Sequence, residues 1–229
     1  MSQNILIVAA HSDDETLGCG GVIAKHVDAG ERVRVVVVAD GVSSRSGSSA
    51  CAAVQARNAS FAAAMSVLGV SDIMSLEYPD NQLDTVPLLK IVKDIEHIAA
   101  TFPANVVYTH FPEDLNIDHK ITAEAVLTAF RPLPETVVQE VLLFEVMSST
   151  GWGNSASNLA FNPNYFSDIS DFLTLKMRAL ECYQDEMRGF PHARSADAIL
   201  ALAKFRGASV GLTAAEAFVL ARKVLRRLG

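Results

Sequence analysis

The sequence has few cysteines, no excess of basic residues and no long run of apolar residues. Its three cysteines lie far apart among 229 residues and form neither a CxxC redox motif nor a zinc-finger spacing. Nineteen lysines and arginines against 26 aspartates and glutamates give a net charge of -7, which argues against a nucleic-acid surface. No apolar segment approaches the ~20 residues of a membrane span, and the N-terminus lacks the basic region of an export signal. We therefore expect a cytoplasmic protein with reduced cysteines, no membrane span and no nucleic-acid partner.

One basic cluster lies near the C-terminus and consists of Arg222, Lys223, Arg226 and Arg227. The helix macrodipole favours positive charge in the last turn of a helix. We expect this cluster to be the solvated end of a C-terminal helix rather than a phosphate-binding surface.

Short β-branched runs alternate with longer segments of helical period along most of the chain, which is typical of parallel strands joined by crossover helices. Strands are predicted at Ile5–Ala9, Arg32–Asp40, Ile73–Leu76, Asn105–His110 and within EVLLFEV, residues 140–146. Helices are predicted at Glu15–Ala29, Val54–Leu68, Leu88–Ala99, Asp118–Phe130, Asp171–Glu186, Ala196–Arg206 and from Ala214 onward. The pattern predicts a single α/β domain over residues 1–229, a Rossmann-like three-layer fold with a mostly parallel sheet flanked by helices.

Polar side chains follow the predicted strands, where open α/β sheets bind their ligands. His11, Asp13 and Asp14 follow the first strand, and His119 comes shortly after the strand that ends at His110. Zinc-type cations take imidazole nitrogen and carboxylate oxygen, so His11, Asp14 and His119 form a candidate metal set. Asp13 would be left off the metal as a general base. The alternative is that both aspartates only cap the next helix.

The segment AAHSDDETLGCGG resembles the AHPDDE motif of the PIG-L/LmbE family of zinc-dependent N-deacetylases. Further similar segments are DGVSSR after the second strand, YPDNQLD from Tyr78, LNIDHK ending at His119, and AEAF from Ala215. The resemblance implies a hydrolase that uses one Zn²⁺ per chain, or another divalent metal, to remove an N-acetyl group from an amino sugar or sugar conjugate. It assigns the metal ligands and the general base to the same four residues, His11, Asp14, His119 and Asp13.

The sequence departs from this family pattern at Ser12, where proline is usual, and at Asn116. At the position of Asn116, several members carry a histidine that is thought to polarise the substrate carbonyl or protonate the leaving amine. Asn116 itself could donate a hydrogen bond to the oxyanion, but an amide cannot hand over a proton. We therefore prefer His192 as the second catalytic acid, with a surface-loop histidine as the alternative. For His110, a position behind a metal ligand is as well supported as direct chemistry.

Three further residues are candidates for contacts with a small N-acetylated sugar. Arg57 and Asp80 fall where the family places sugar contacts, and Arg194 is chosen from its charge, as a partner for a phosphate or nucleotide on the sugar. The alternatives are a solvated helix arginine for Arg57 and an Asx-turn aspartate for Asp80.

Two other functional classes remain open. A Rossmann-like nucleotide-binding protein would explain the alternating strands and Gly18, Gly20 and Gly21, but the segment is not GxGxxG and its carboxylates would repel a pyrophosphate. A non-catalytic carbohydrate-binding relative would have lost the metal set, which is present here. The sequence is also compatible with a homo-oligomer.

Overall fold

The computed structural model describes residues 2–44, 50–153 and 160–225. Within these ranges the strands are Asn4–Ala9 (β1), Arg32–Ala39 (β2), Asp72–Tyr78 (β3), Val106–His110 (β4), Glu140–Phe144 (β5), Tyr165–Asp168 (β6) and Ala215–Lys223 (β7). The α-helices are Asp14–Asp28 (α1), Ala50–Leu68 (α2), Leu88–Thr101 (α3), Ile117–Ala129 (α4), Leu173–Leu180 (α5) and Ala196–Ala208 (α6).

The strands form one sheet in the order β3-β2-β1-β4-β5-β7-β6. Strands β1 to β5 are parallel, and β7 and β6 add an antiparallel edge. Strands β2 and β3 follow one another on one side of β1, and the chain then crosses back so that β4 and β5 lie on the other side of β1. The strand order therefore reverses between β1 and β4, which is the point where open α/β sheets bind ligands. The predicted mostly parallel α/β sheet is confirmed.

Side chains of β1 alternate between two apolar cores, one on each face of the sheet. Ile5 and Ile7 lie in the first core, which includes residues of α1, α2 and α5. Leu6 and Val8 lie in the second core, which includes residues of α3 and α4. Because both faces of the sheet are covered by helices, the structure has the three layers that the sequence predicts.

Helix α1 lies very close to the sheet because it contains glycines where other side chains would collide. A Cβ atom on Gly18 would lie 2.4 Å from Cδ2 of Phe144, and one on Gly21 would lie 2.7 Å from Cβ of Ile169. These glycines serve helix–sheet packing inside α1, and they do not form a loop that could receive a phosphate. The close packing sets the position of Asp14, the first residue of α1.

The predicted C-terminal helix from Ala214 is wrong, because residues 215–223 form β7. Alanine, leucine, arginine and lysine favour a helix, but β7 pairs with β5 on one side and β6 on the other, so tertiary hydrogen bonding outweighs local propensity. Arg222 and Lys223 therefore lie on a strand, where Lys223 pairs with Glu140 at 2.7 Å. Arg226 and Arg227 lie outside the described residues.

The predicted helix Asp171–Glu186 is shorter than expected, since α5 covers only Leu173–Leu180 and a turn follows it. Cys19 and Cys182 are free thiols, as expected. No helix in the described part of the chain combines the length and the apolarity that crossing a bilayer requires.

Candidate active site

Three buried side chains meet where β1 and β4 end. His11 follows β1, Asp14 opens α1 and His119 lies in the first turn of α4. Oδ2 of Asp14 lies 3.1 Å from Nδ1 of His11 and 3.1 Å from Nε2 of His119. The structure thus brings together the three residues predicted to form the metal set.

This cluster fits a divalent cation. Oδ1 of Asp14 and Nε2 of His119 are buried and have no hydrogen-bond partner among the residues that the structure describes. A buried polar atom without a partner is costly, and a cation bound between these groups would remove that cost. Two imidazoles and one carboxylate are also the donor types of hydrolytic zinc sites that keep a coordination position open.

His11 is held from behind by carboxylates. Its Nε2 lies 3.0 Å from Oδ2 of Asp118 and 3.2 Å from Oδ1 of Asp80. Asp118 also accepts the backbone N–H groups of Asn81 and Leu83, so both of its oxygens are engaged within the protein. A carboxylate that accepts the Nε2 proton leaves Nδ1 of His11 free to bind a metal.

His119 has a similar support on its outer side. Its Nδ1 lies 3.3 Å from Oδ2 of Asp114 and 3.2 Å from Oγ of Ser149. Thr150 donates its hydroxyl to the same Asp114 oxygen at 2.5 Å. The arrangement leaves Nε2 of His119 directed at Asp14. Both candidate imidazole ligands are therefore oriented by carboxylates.

The electrostatics of the cluster favour positive charge at its centre. Burial opposes a charge on each imidazole, but the neighbouring carboxylates outweigh it and raise the pKa of His119 to about 9 and that of His11 well above its usual value. Burial likewise opposes ionisation of Asp14, but His119 and His11 hold the pKa of that carboxyl well below its usual range. A divalent cation would supply the positive charge that these protons otherwise provide.

Replacing Asp114 by asparagine should weaken zinc binding by about 10- to 100-fold, because His119 loses the charged acceptor that orients its ring. Zinc affinity measured by competition with a chromogenic chelator checks this expectation. The control is Asp171→Asn, which changes an exposed carboxylate ahead of α5. Equal zinc affinities in Asp114→Asn and the wild type would show that Asp114 does not support the ligand.

His110 lies behind the metal set and does not face open space. Its ring stacks on the ring of His119 with 3.9 Å between centroids, and its Nε2 accepts the backbone N–H of Ala10 at 2.8 Å. Burial, together with the charge of His119, lowers the pKa of His110 well below its usual value. A neutral His110 therefore packs against a ligand, which is one of the two roles the sequence allowed.

Asp13 has an unusual backbone conformation and a side chain that avoids the metal set. Its φ is 132°, a region that residues other than glycine rarely adopt, and its N–H donates to Oε2 of Glu15 at 2.9 Å. The side chain makes no capping hydrogen bond to α1. Its Oδ2 lies 2.8 Å from Nη1 of Arg194, and its Oδ1 lies 3.3 Å from Nη2 of Arg57. Simple helix capping therefore does not describe Asp13.

Glu186 completes a network of four charges around Asp13. It pairs with Nη1 of Arg57 at 2.6 Å and with Nη1 of Arg194 at 3.0 Å. Burial raises the pKa of Asp13, and the two guanidinium groups oppose that rise without cancelling it. Arg57 is 8% exposed, so this candidate sugar contact is engaged within the protein. Arg194 is more exposed and borders the site.

Asp80 and Asn116 also make contacts within the protein. Asp80 contacts His11 and accepts the Ser44 hydroxyl; burial opposes its ionisation, but these contacts, His11 first, lower its pKa to about 2. The Asn116 side chain caps α4 by accepting the N–H of Asp118 at 2.8 Å, and its Nδ2 donates to Oδ1 of Asn81 at 3.1 Å.

His192 lies beside the Arg194 backbone rather than in the metal set. Its Nδ1 accepts the N–H of Arg194 at 3.0 Å, and its ring meets Trp152 edge-on at 5.6 Å between centroids. Its contacts within the described residues do not include any residue of the metal set. The structure therefore brings His192 to the border of the site through Arg194.

Sequence reasoning missed several residues that support the site. Asp114 and Asp118 lie in the same short segment as His119, so their spacing could have suggested a supporting role. Ser149 and Glu186 contact the site from distant loops, and no local pattern marks them.

A family model described as PIG-L, GlcNAc-PI de-N-acetylase, matches residues 6–130, which is more than half of the chain. The uncharacterized deacetylase YaiS of Escherichia coli K12 is 27% identical over 186 residues, covering 78% of this chain and 89% of YaiS. The structure of N,N'-diacetylchitobiose deacetylase from Pyrococcus horikoshii is similar, with a TM-score of 0.78 and 22% identity, covering 96% of this chain and 84% of that chain. The 4-carboxy-2-hydroxymuconate hydratase GalB from Pseudomonas putida KT2440 has a TM-score of 0.79 and 20% identity, covering all of both chains. On the match over residues 6–130, the chain belongs to the PIG-L family.

Proposed function

We propose that the protein is a zinc-dependent hydrolase that removes an N-acetyl group from an amino sugar or sugar conjugate. The observation that carries this proposal is the buried set of His11, Asp14 and His119 beside a separate carboxylate, Asp13. Family membership supports the same reaction, since the family model is described as a de-N-acetylase and YaiS is named a deacetylase. A cytoplasmic location and a homo-oligomer stay predictions.

His11, Asp14 and His119 would hold the cation, which when bound polarises an amide carbonyl and lowers the pKa of water toward ~7. Asp13 is the base. Its Oδ1 is buried, lies 3.3 Å from Nη2 of Arg57 and accepts no hydrogen bond within the described residues, so this oxygen can accept the proton of the attacking water. Oδ2 is held by Arg194, which keeps the carboxylate in one orientation. The water oxygen forms a bond to the carbonyl carbon. As the C–N bond then breaks, the acyl group becomes acetate, and the nitrogen takes a proton and leaves as an amine.

Asp13 and His192 are the two candidate donors of that last proton. The Asn116 amide caps α4 and donates to Asn81, so it supplies no proton. Asp13 can return the proton it has taken, or His192 can supply one if the ring turns from Trp152 toward the site.

If His192 is the acid, His192→Ala should remove the alkaline limb of a bell-shaped pH profile of kcat/KM, and His192→Gln should not restore it. Steady-state kinetics across the pH range provide the measurement. If Asp13 makes both proton transfers, the profile of His192→Ala will overlay that of the wild type. If Asn116 in addition donates a hydrogen bond to the oxyanion, Asn116→Ala should lower kcat by an amount nearly independent of pH.

The proposal is tested by incubating zinc-loaded protein with a panel of N-acetylated sugars and nucleotide sugars and measuring acetate release. The control is the same protein after zinc has been removed with a chelator. We expect zinc-dependent release from at least one compound. A zinc-loaded protein that releases no acetate from the panel would count against the proposal, and GalB shows that this fold also occurs in a hydratase.

A further inference from the structure

The turn after α5 reaches the active site through Tyr183. Tyr183 is 2% exposed, and its hydroxyl donates to Oε1 of Glu15 at 2.6 Å, across 168 residues of sequence. The turn also brings in Glu186, whose N–H donates to the carbonyl of Tyr183 at 2.9 Å. One short turn therefore places both a buried hydroxyl and a carboxylate against the residues around Asp13.

Glu15 transmits the contact with Tyr183 to Asp13. The Glu15 side chain is fully buried, and its Oε1 accepts hydroxyl hydrogen bonds from Tyr183 and Thr16, each at 2.6 Å. The other oxygen, Oε2, accepts the backbone N–H of Asp13 at 2.9 Å. Since Asp13 has a φ of 132°, its backbone needs fixed partners to stay in this conformation.

Tyr183 also supports the side chain of Asp13. The guanidinium carbon of Arg57 lies 5.6 Å from the centre of the Tyr183 ring, within the range of a cation–π contact. Arg57 in turn contacts Oδ1 of Asp13 and pairs with Glu186. Tyr183 thus contacts Asp13 indirectly in two ways. Glu15 connects it to the Asp13 backbone, and Arg57 connects it to the Asp13 carboxylate.

We propose that Tyr183 is a positioning residue for the general base, acting through Glu15 on the Asp13 backbone and through Arg57 on the Asp13 carboxylate. The inference rests on the proposed function, because it takes Asp13 to be the base. Tyr183 lies beyond residues 6–130, the part of the chain that the family model matches. Because Tyr183 contacts Glu15 and Arg57, the turn after α5 contributes to the active site although it lies outside that match.

The test compares Tyr183→Phe with a control variant, Tyr108→Phe, which also removes one buried hydroxyl. The Tyr108 hydroxyl lies 3.0 Å from Nε2 of His26, and this pair is not part of the active site. The substrate is the panel sugar that the wild type hydrolyses fastest. We expect Tyr183→Phe to lower kcat by roughly 10-fold, with zinc content unchanged and KM altered less than about twofold. Tyr108→Phe should keep the wild-type kcat.

A double-mutant cycle separates positioning from a general structural effect. In an Asp13→Asn background, where no base remains to be oriented, Tyr183→Phe should change kcat less than about twofold. An equal loss of kcat in both backgrounds would overturn the proposal. Should Tyr183→Phe fail to fold, Glu15→Gln tests the same link, because its amide cannot accept at both positions.

Crystal structures of the wild type and Tyr183→Phe test the link without any activity. We expect the wild type to keep the hydrogen bond between Asp13 N and Glu15 Oε2 and the positive φ of Asp13. We expect the variant to lose both features. If the variant retains both, Tyr183 does not position Asp13, even if the panel reveals no substrate. If no sugar of the panel releases acetate, but the Tyr183→Phe structure has lost the hydrogen bond and the positive φ, the proposed function is rejected and the positioning role of Tyr183 stands.

Discussion

Replacing Asp13 by asparagine should slow hydrolysis of the N-acetyl group by about 10²- to 10⁴-fold while leaving zinc bound. Asparagine keeps the shape of the side chain but cannot accept the proton of the attacking water. His11, Asp14 and His119 remain in place, so the metal set is complete. The measurements are kcat from acetate release and zinc per chain by atomic absorption.

A matched control for this change is Asp28→Asn, which removes an exposed carboxylate at the other end of α1. It should leave both zinc content and kcat at wild-type values. If Asp13→Asn instead loses its zinc, the roles assigned to Asp13 and Asp14 are reversed. If it keeps both zinc and full activity, Asp13 is not the base.

Replacing His119 by alanine should remove zinc and reduce activity to the level of the metal-free protein. Nε2 of His119 is buried, lies 3.1 Å from Oδ2 of Asp14 and has no hydrogen-bond partner in the described part of the chain, so its loss leaves only two of the three proposed ligands. The fold should stay largely intact, because the sheet and its two apolar cores do not depend on this ring. Zinc analysis and circular dichroism measure the two effects separately.

The control here is His97→Ala, since His97 is an exposed histidine on α3. It should keep full zinc content and activity. Full zinc occupancy in His119→Ala would remove His119 from the metal set. Loss of the circular dichroism signal would instead show that His119 is needed for folding, and substitution of His11 would then be needed to assign the metal set.

Much of the candidate site was predictable because most of its residues are close together in the sequence. His11, Asp13 and Asp14 are neighbours in the chain and directly follow an apolar strand, so the order of elements places them at the end of β1. His119 was predictable from the rule that polar residues after parallel strands meet at one edge of the sheet. Local order and strand alternation were sufficient for these residues and for the parallel part of the sheet.

Local propensity was not sufficient for the antiparallel edge. Residues 215–223 contain many helix-favouring side chains, yet they form a strand because β5 and β6 offer hydrogen-bonding partners on both sides. A single sequence does not show which edges of a sheet are still free when the last segment folds. Helix α5 ends at Leu180, before the predicted end at residue 186, for a related reason. Tyr183 and Glu186 are held by contacts with Glu15, Arg57 and Arg194.

The sequence by itself determined the α/β class and predicted the candidate metal set and the carboxylate beside it, because strand periodicity and the HSDDE and LNIDHK segments are local patterns. Only the tertiary structure decided what surrounds Asp13. Arg194 reaches it across 181 residues and Tyr183 reaches Glu15 across 168. Such contacts arise because buried charges and hydroxyls must find partners once the layers have packed, and the nearest partner in space need not be near in the chain.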